Sequence, residues 1–261
     1  MSNFTKKVLT YHTKYGRHDL PWRKTYNPYR VLVSEIMLQQ TQVERVIPKY
    51  KSFLQKYPSI QKLAKASLGD VLREWQGLGY NRRGKMLHEA AKKIVNRHAG
   101  SVPCTRDELE ALPGIGHYTA GAIRAFAFNE PDDFLETNIR TALIHEFYPK
   151  SKKISDKKLL KLLPLLRGKT SSRSFYSALM DYGAMLKGKG VKLNAKSKHY
   201  TKQKPFKGSD REVRGAILRV LAQGHSLTTL KFETSRISNA LQQLQSEKMI
   251  VRYGKKYQLP K

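Results

Sequence analysis

The sequence predicts an all-α body followed by a small unit of two helices and a β-hairpin. Three observations carry this prediction. Apolar residues recur three and four apart in one segment after another, the spacing of a helix buried on one face. The segments begin at Ser or Thr and stop at Gly, as capped helices do. No alternating apolar–polar run of useful length occurs before residue 249.

The elements follow in order. "NPYRVLVSEIMLQQTQVERVIPKYKSFLQKY" (27–57) reads as helix, with Pro48 as its first breaker. "SLGDVLREWQGLG" (67–79) opens on Ser67 as N-cap and stops at a pair of glycines. "NRRGKMLHEAAKKIVNRH" (81–98) is amphipathic and ends at "AGSVP". "TRDELEALPGIGHYTAGAIRAFAF" (105–128) reads as helix, hairpin, helix, with Thr105 and Glu108 spaced for a capping box. "TNIRTALIHEFY", "DKKLLKLLPLLRG" and "SSRSFYSALMDYGAMLKG" continue the helical pattern to residue 188. Trp22 and Trp75 are most simply core residues.

A boundary is expected near residue 187. Residues 187–207 hold eight lysines and no acid, with no helical period. "SDREVRGAILRVLAQG" and "TSRISNALQQLQSEKM" then read as helices, with Leu241 and Leu244 facing inward. "IVRYGKKYQLP" reads as strand, turn at Tyr253-Gly254-Lys255-Lys256, strand. Two helices closed by a basic hairpin suggest a winged helix; a helical tail with a frayed end is the plainer alternative. The expected division is therefore 1–186, a basic linker 187–207, and 208–261.

Composition narrows the class. The chain carries 50 Lys+Arg against 20 Asp+Glu, a formal charge of +30 over 261 residues. Such an excess suits nucleic acid, where each neutralised phosphate releases counterions; an anionic membrane or an acidic protein surface is the alternative. Apolar content of 39% supports a core. No run approaches the about 18 apolar residues of a membrane helix. "MSNFTKKVLTYHTKYGRHD" is too polar for a secretory signal. A single cysteine, Cys104, excludes an internal disulfide and suits a reducing compartment.

"LPGIGHYTAG" (112–121) raises a specific question of ligand. Gly114 and Gly116 can take positive φ and leave their amides unobstructed. The helix opening at His117–Tyr118 adds free N–H groups and the positive end of its dipole. Together these suit one backbone phosphate, gripped without reading sequence. An ordinary Pro-Gly turn between helices is the alternative.

On these residues the hairpin resembles that of the helix-hairpin-helix DNA glycosylases. "LPWRKTYNPYRVLVSEIMLQQTQVERVIP" (20–48), "WQGLGYNRRGKMLHEAA" (75–91), "LPGIGHYTAGAI" (112–123) and "LMDYGAM" (179–185) are similar to the adenine DNA glycosylases of the MutY family. The resemblance covers roughly residues 8–187. It implies two helical subdomains flanking a cleft, and hydrolysis of the N-glycosidic bond of a base flipped out of duplex DNA.

That reaction needs a proton for the departing base, a negative group near the sugar cation, and water at C1′. Glu35 lies in the apolar "RVLVSEIML", where desolvation should raise its pKa; on its own it also reads as a surface glutamate. By resemblance it protonates the leaving adenine. Glu136, in "DDFLETNIRTAL", stands where the family typically carries aspartate, with about 1.5 Å more reach. It matches the group that stabilises the sugar cation; a helix N-cap or first-turn acid is the alternative, with Asp133 a fallback. Asn138 matches the family's asparagine two residues on. Tyr118 stands where bifunctional relatives such as endonuclease III carry a Schiff-base lysine. It implies a monofunctional enzyme, with Lys85 left as a source of weak lyase activity. Arg23 matches an arginine near the acid.

The resemblance also assigns contacts to DNA. Gln40 and Thr41 match a wedge that touches the opposite base. Leu78, Gly79 and Tyr80 match a second wedge, or form a helix C-cap with core packing. Arg82 and Arg83 are phosphate contacts or solvated. Gly114, Gly116 and His117 hold the phosphate. Lys196 and Lys198, in the basic stretch, grip DNA or lie in a solvated segment.

Two departures stand out. The family usually binds a [4Fe-4S] cluster through four cysteines, and one cysteine cannot build it, so no cofactor or metal is expected. Residues 208–261 are too short for the Nudix-like domain that senses 8-oxoguanine in the family. The expected function is removal of adenine opposite 8-oxoguanine or guanine by a monomer on double-stranded DNA, cytoplasmic and nucleoid-associated if bacterial. A uracil or thymine mismatch glycosylase, or a DNA-binding protein with impaired catalysis, is the alternative.

Overall fold

The computed structural model describes residues 1–198, 205–254 and 256–261. It is helical throughout its body: α1 (Asn3–Tyr15), α2 (Pro28–Leu38), α3 (Val43–Lys56), α4 (Ile60–Lys65), α5 (Leu68–Glu74), α6 (Arg82–Arg97), α7 (Arg106–Glu110), α8 (His117–Ile123), α9 (Thr137–Phe147), α10 (Asp156–Leu160), α11 (Leu163–Arg167), α12 (Ser172–Gly188), α13 (Asp210–Ala222) and α14 (Thr234–Ser246). A π-helical turn, Arg124–Phe128, extends α8. The strands among the described residues are β1 (Val251–Tyr253) and β2 (Lys256–Gln258), antiparallel with Arg252 opposite Tyr257. Lys255, in their turn, lies outside the described residues.

The chain forms two compact units. The first comprises Met1–Val31, Cys104–Glu110 and Ile115–Lys202; the second comprises Leu32–Pro103, Ala111–Gly114 and Gln203–Lys261. This division cuts across the expected linear segments, because the C-terminal residues group with Leu32–Pro103.

In the first unit, α1, α9 and α12 share one core. Phe4, Val8, Ile139, Leu143, Phe175, Tyr176, Leu179 and Leu186 are all buried in it. Helices α9 and α12 approach closely at Gly183, where an added Cβ would lie 2.0 Å from the Asn138 carbonyl oxygen. Residues 187–198 of the basic stretch are folded onto this unit. Ile154 and Ser197 form a parallel bridge, with Ile154 N–H donating to Lys196 O at 2.9 Å and Lys198 N–H to Ile154 O at 3.0 Å. Ser197 is buried, and its hydroxyl donates to Asp156 at 3.1 Å. Residues 199–204 lie outside the described residues.

In the second unit, Val213, Ile217, Leu221, Leu241, Leu244, Met249 and Leu259 close a small core around α13, α14 and the hairpin. Leu72 of α5 is buried in the same cluster, so this segment is packed, not frayed. Gly69 N–H donates to Pro260 O at 2.8 Å, and an added Cβ at Gly69 would meet that oxygen at 2.5 Å.

One expected boundary moves. Helix α3 runs through Pro48, and the break falls instead at residues 39–42, where Gln40 has φ 53°. Pro48 is the sixth residue of α3, where it forfeits the bond to the Glu44 carbonyl, and burial of Val46, Tyr50 and Phe53 holds the helix across it. The earlier break has its own cause: Arg83 takes the last carbonyls of α2, as described below. Ser67 caps α5 as expected, its hydroxyl accepting from Asp70 N–H at 3.0 Å. Thr105 accepts from Glu108 N–H at 3.4 Å, and its hydroxyl donates to the Glu108 carboxylate.

Candidate active site

In the second unit, Glu35 sits on α2 and is 5% exposed. Leu32, Val33, Ile36 and Met37 around it in sequence are buried too, so α2 is apolar on several faces and the carboxyl shares that surrounding. Burial of Glu35 is what the apolar run predicts.

Arg83 organises the turns beside it. Its Nη1 donates to Ile36 O and Met37 O, both at 2.9 Å, and to Gln39 O. Its Nη2 donates to the Thr41 hydroxyl at 2.8 Å, to Leu78 O at 3.3 Å and to Gly79 O at 3.2 Å. The guanidinium also lies 5.6 Å from the ring centres of Trp75 and Tyr80. Burial pulls its pKa down to about 10, against an upward pull from Tyr80, so it remains charged at neutral pH. Arg83 is therefore a clamp and not the phosphate contact or solvated side chain expected; its two terminal nitrogens share six acceptors, while its Nε is buried with no hydrogen-bond partner among the described residues. A guanidinium can do this because its planar fork presents five N–H groups.

The clamp joins two turns that carry left-handed non-glycine residues, Gln40 (φ 53°) and Tyr80 (φ 46°). Thr41 is engaged within it, its hydroxyl also donating to Leu78 O at 3.3 Å. Leu78 is 2% exposed, so its side chain belongs to the core and not to a projecting wedge. What the turn presents is exposed Gly79 and half-buried Tyr80, while Arg82 lies exposed at the start of α6. Gly114 takes φ 78°, and an added Cβ there would lie 2.8 Å from Met86 Cβ. Glycine is needed at that position on both counts.

In the first unit, Gly116 caps α8 with φ −99° and ψ 179°, an extended conformation open to any residue, and not the positive φ expected. No atom lies within 4 Å of a Cβ built there, so the open space, not the backbone angle, distinguishes it. His117 is already engaged: its Nδ1 lies 3.0 Å from Glu110 Oε1 and 2.7 Å from Arg106 Nη1. Arg106 also bonds Asp132, tying α7 to the start of α8 and to the stretch before α9.

Tyr118 packs edge-on against Phe134, with centroids 5.6 Å apart. Phe134 is 1% exposed and also touches Phe126 and Tyr176. It anchors the chain two residues before Glu136. Asp133 accepts from the Tyr176 hydroxyl at 2.8 Å. Burial raises the Asp133 pKa, and that hydrogen bond opposes it; Tyr176 is driven far up, by burial first and the neighbouring carboxylate second. The fallback acid is thus a structural partner of Tyr176.

Glu136 is the N-cap of α9, the alternative its sequence position offered. Its Oε1 accepts from Asn138 N–H at 2.7 Å and Ile139 N–H at 3.1 Å, and its Oε2 from the Thr137 hydroxyl at 3.0 Å. The cap fixes the carboxylate in one place, which a charge aimed at a cation requires. Gly183 presses on Asn138 from α12. Burial lowers the Lys187 pKa, and Glu136 acts on it in the opposite sense.

Arg23 is committed to Asp181, with Nη1–Oδ2 2.5 Å and Nη2–Oδ1 2.9 Å. His12 (2.8 Å) and Arg17 (2.6 Å) converge on the same carboxylate, whose side chain is 2% exposed. Burial pushes Asp181 up, but the bonds from His12, Arg23 and Arg17 outweigh it and hold the carboxyl far below its ordinary range. Sequence reading passed over Asp181, although it is the single acid of α12, inside an apolar stretch. Lys196 Nζ donates to Pro149 O at 2.7 Å, so this lysine staples the basic stretch down, whereas Lys198 is exposed.

Among the described residues no group of three or more His, Cys, Asp or Glu side chains could hold a metal ion. The residues do not fit a cysteine-held cluster: Cys104, the one thiol of the chain, is exposed at the start of the α7 region. No described helix is long and apolar enough to cross a membrane.

A helical body with a tight Pro-Gly hairpin entering α8, a buried glutamate on α2 and a capped carboxylate before α9 defines the helix-hairpin-helix glycosylase class of fold. The family model described as "HhH-GPD superfamily base excision DNA repair protein" matches residues 33–234, and the chain belongs to that superfamily. It is 38% identical over 184 residues to the adenine DNA glycosylase of Buchnera aphidicola subsp. Baizongia pistaciae, covering 70% of this chain and 52% of that one. It is 34% identical over 227 residues to the adenine DNA glycosylase of Mycolicibacterium smegmatis, covering 79% and 76%. The solved structure of a thermostable thymine-DNA glycosylase superposes with a TM-score of 0.65 at 28% identity, covering 76% of this chain and 94% of that one. The chain spans about half the length of the Buchnera relatives it matches.

Proposed function

We propose that this chain is a monofunctional DNA glycosylase that removes adenine mispaired with 8-oxoguanine or guanine. The observation that carries the reading is the similarity to relatives named adenine DNA glycosylase, in one case over three quarters of both chains. Burial of Glu35 and the fixed carboxylate of Glu136 support it. In this reading Glu35 gives a proton to the departing base, and the electrons of the C1′–N bond leave with it. Glu136 offsets the positive charge left on the sugar, and water adds its oxygen to C1′ and releases a proton. Tyr118 and Asn138 order the sugar pocket, and Arg23 acts through Asp181 as a positioning residue. Tyr118 has no amine, so no imine forms and the strand is left intact.

A formal +30 charge supports duplex DNA as partner. Gly116, with open space where a side chain would stand, exposed Gln40, Gly79, Arg82 and Lys198, and half-buried Tyr80 are the candidate contacts for it. The chain works without an iron–sulfur cluster, as a monomer wherever the DNA is kept; in a bacterium that is the nucleoid. The matching thymine-DNA glycosylase structure favours a second reading, removal of thymine or uracil opposite guanine.

Single-turnover base release from one set of duplexes separates the two. Release of adenine opposite 8-oxoguanine or guanine supports the first reading. Release of uracil or thymine alone replaces it with the second. Tight binding with no release from any duplex removes both.

A further inference from the structure

The C-terminal segment reaches the Gly77–Tyr80 turn through Arg211. Arg211, on the first turn of α13, donates from Nη1 to the Tyr80 hydroxyl at 2.6 Å. Its guanidinium lies 5.6 Å from the Tyr80 ring centre, as that of Arg83 does. The same segment grips both helices that flank the turn. Leu72 and Gly69 of α5 meet its core and Pro260, and Lys85 Nζ of α6 donates to Glu247 O at 2.5 Å.

The turn itself is strained. Gly77, Gly79 and Tyr80 have φ of 94°, 72° and 46°. A bulky residue held left-handed costs about 1–3 kcal/mol, and such strain persists only where its surroundings over-determine it. Here the surroundings are two guanidinium groups and a hydrogen bond to the ring's far end. An aromatic ring at the surface, flanked by cations and next to an exposed glycine, is the chemistry that stacks on a base and lies along a phosphate chain.

We propose that the C-terminal segment is a brace for this turn, with Arg211 the positioning residue that holds the Tyr80 ring for stacking into duplex DNA. The inference rests on the base-excision reading above. It gives residues 208–261 a task in opening the duplex, through Tyr80, that needs no recognition of a damaged base.

The test compares a target base in a mismatched pair with the same base in a bulge, which is already unpaired. Flipping costs least for an unpaired base. Arg211→Met should slow single-turnover release from the mismatch by about tenfold and from the bulge by less than about threefold. Arg211→Lys should restore part of the loss, since an ammonium can still donate to the hydroxyl. Tyr80→Phe, which keeps the ring and removes the hydroxyl that Arg211 donates to, should slow the mismatch reaction, and the double variant should be no slower than the worse single one. Fluorescence of 2-aminopurine beside the target reads unstacking without chemistry: wild type should raise it and Arg211→Met should not. Equal slowing on both substrates, wild-type rates in Arg211→Met, or additive losses would overturn the brace. Failure of the wild type to release any base would instead remove the base-excision reading, and the fluorescence would still decide whether Arg211 acts through Tyr80.

Discussion

Replacing Arg83 by methionine tests whether this side chain grips the protein or DNA. The substitution keeps much of the volume and removes every donor. Six acceptors lose their partner: the carbonyls of Ile36, Met37, Gln39, Leu78 and Gly79, and the Thr41 hydroxyl. Those beside exposed Gly79 can turn to water. The carbonyls of Ile36 and Met37, in residues at most 1% exposed, have no such recourse. A buried acceptor left unpaired costs about 1–3 kcal/mol, so two cost about 2–6. Relief from burying a cation returns part of this, and a net loss of about 3 kcal/mol follows. For a chain of this size that lowers the thermal midpoint by about 6–12 °C. Arg83→Lys should fall between, because one ammonium cannot span both turns. Thermal melts followed by circular dichroism measure this directly. Duplex affinity measured against salt concentration supplies the second readout. A phosphate contact contributes about one unit to the slope of log affinity on log salt, and a clamp contributes none. An unchanged midpoint with a slope reduced by about one would refute the clamp.

Other outcomes follow from the same packing. Asp181→Asn leaves Arg23 and Arg17 without their buried counter-charge and should cost about 3 kcal/mol at neutral pH. The folded Asp181 pKa lies below its unfolded value of about 3.9, so its contribution is complete above that pH and is lost as pH falls toward the folded value. The stability gap between wild type and Asp181→Asn should therefore narrow between about pH 5 and pH 2; a gap that stays constant would contradict the assignment. Gly183→Ala forces a Cβ against the Asn138 carbonyl and should cost about 1–3 kcal/mol while slowing base release, checked by urea melts alongside turnover. Tyr118→Lys should yield a covalent DNA adduct trapped by borohydride, and no adduct on an active duplex would count against placing this residue beside C1′.

Much of the fold was legible because its signals are local. The helical spacing, Ser67, the Thr105–Glu108 pair and Gly114 of the hairpin each act within a few residues of the structure they set. The buried position of Glu35 was legible for the same reason, in the run "RVLVSEIML". What escaped depends on partners distant in sequence. Nothing near Arg83 announces that two of its acceptors, Ile36 O and Met37 O, lie on a helix more than 40 residues earlier, and a lone arginine in a +30 chain reads naturally as a phosphate contact. Leu78 went astray for the converse reason: the motif that suggests a wedge contains a side chain with core burial. Glu136 was open to two readings, and its cap on α9 is compatible with both, since a cap also fixes where the carboxylate points. The pairing of Arg211 with Tyr80 spans 131 residues and two separate motifs, out of reach of any spacing rule.

The central claim is that Glu35 supplies the proton that releases the base. The direct measurement is single-turnover release from a duplex carrying adenine opposite 8-oxoguanine, for wild type and Glu35→Gln, with duplex affinity and thermal midpoint measured on the same samples. Glutamine matches the glutamate in size but has no acidic proton to transfer. The account predicts loss of release by at least about a hundredfold, the usual share of general acid catalysis, with affinity and midpoint nearly unchanged. Release by Glu35→Gln at the wild-type rate, or a loss matched by collapse of binding or folding, would contradict it.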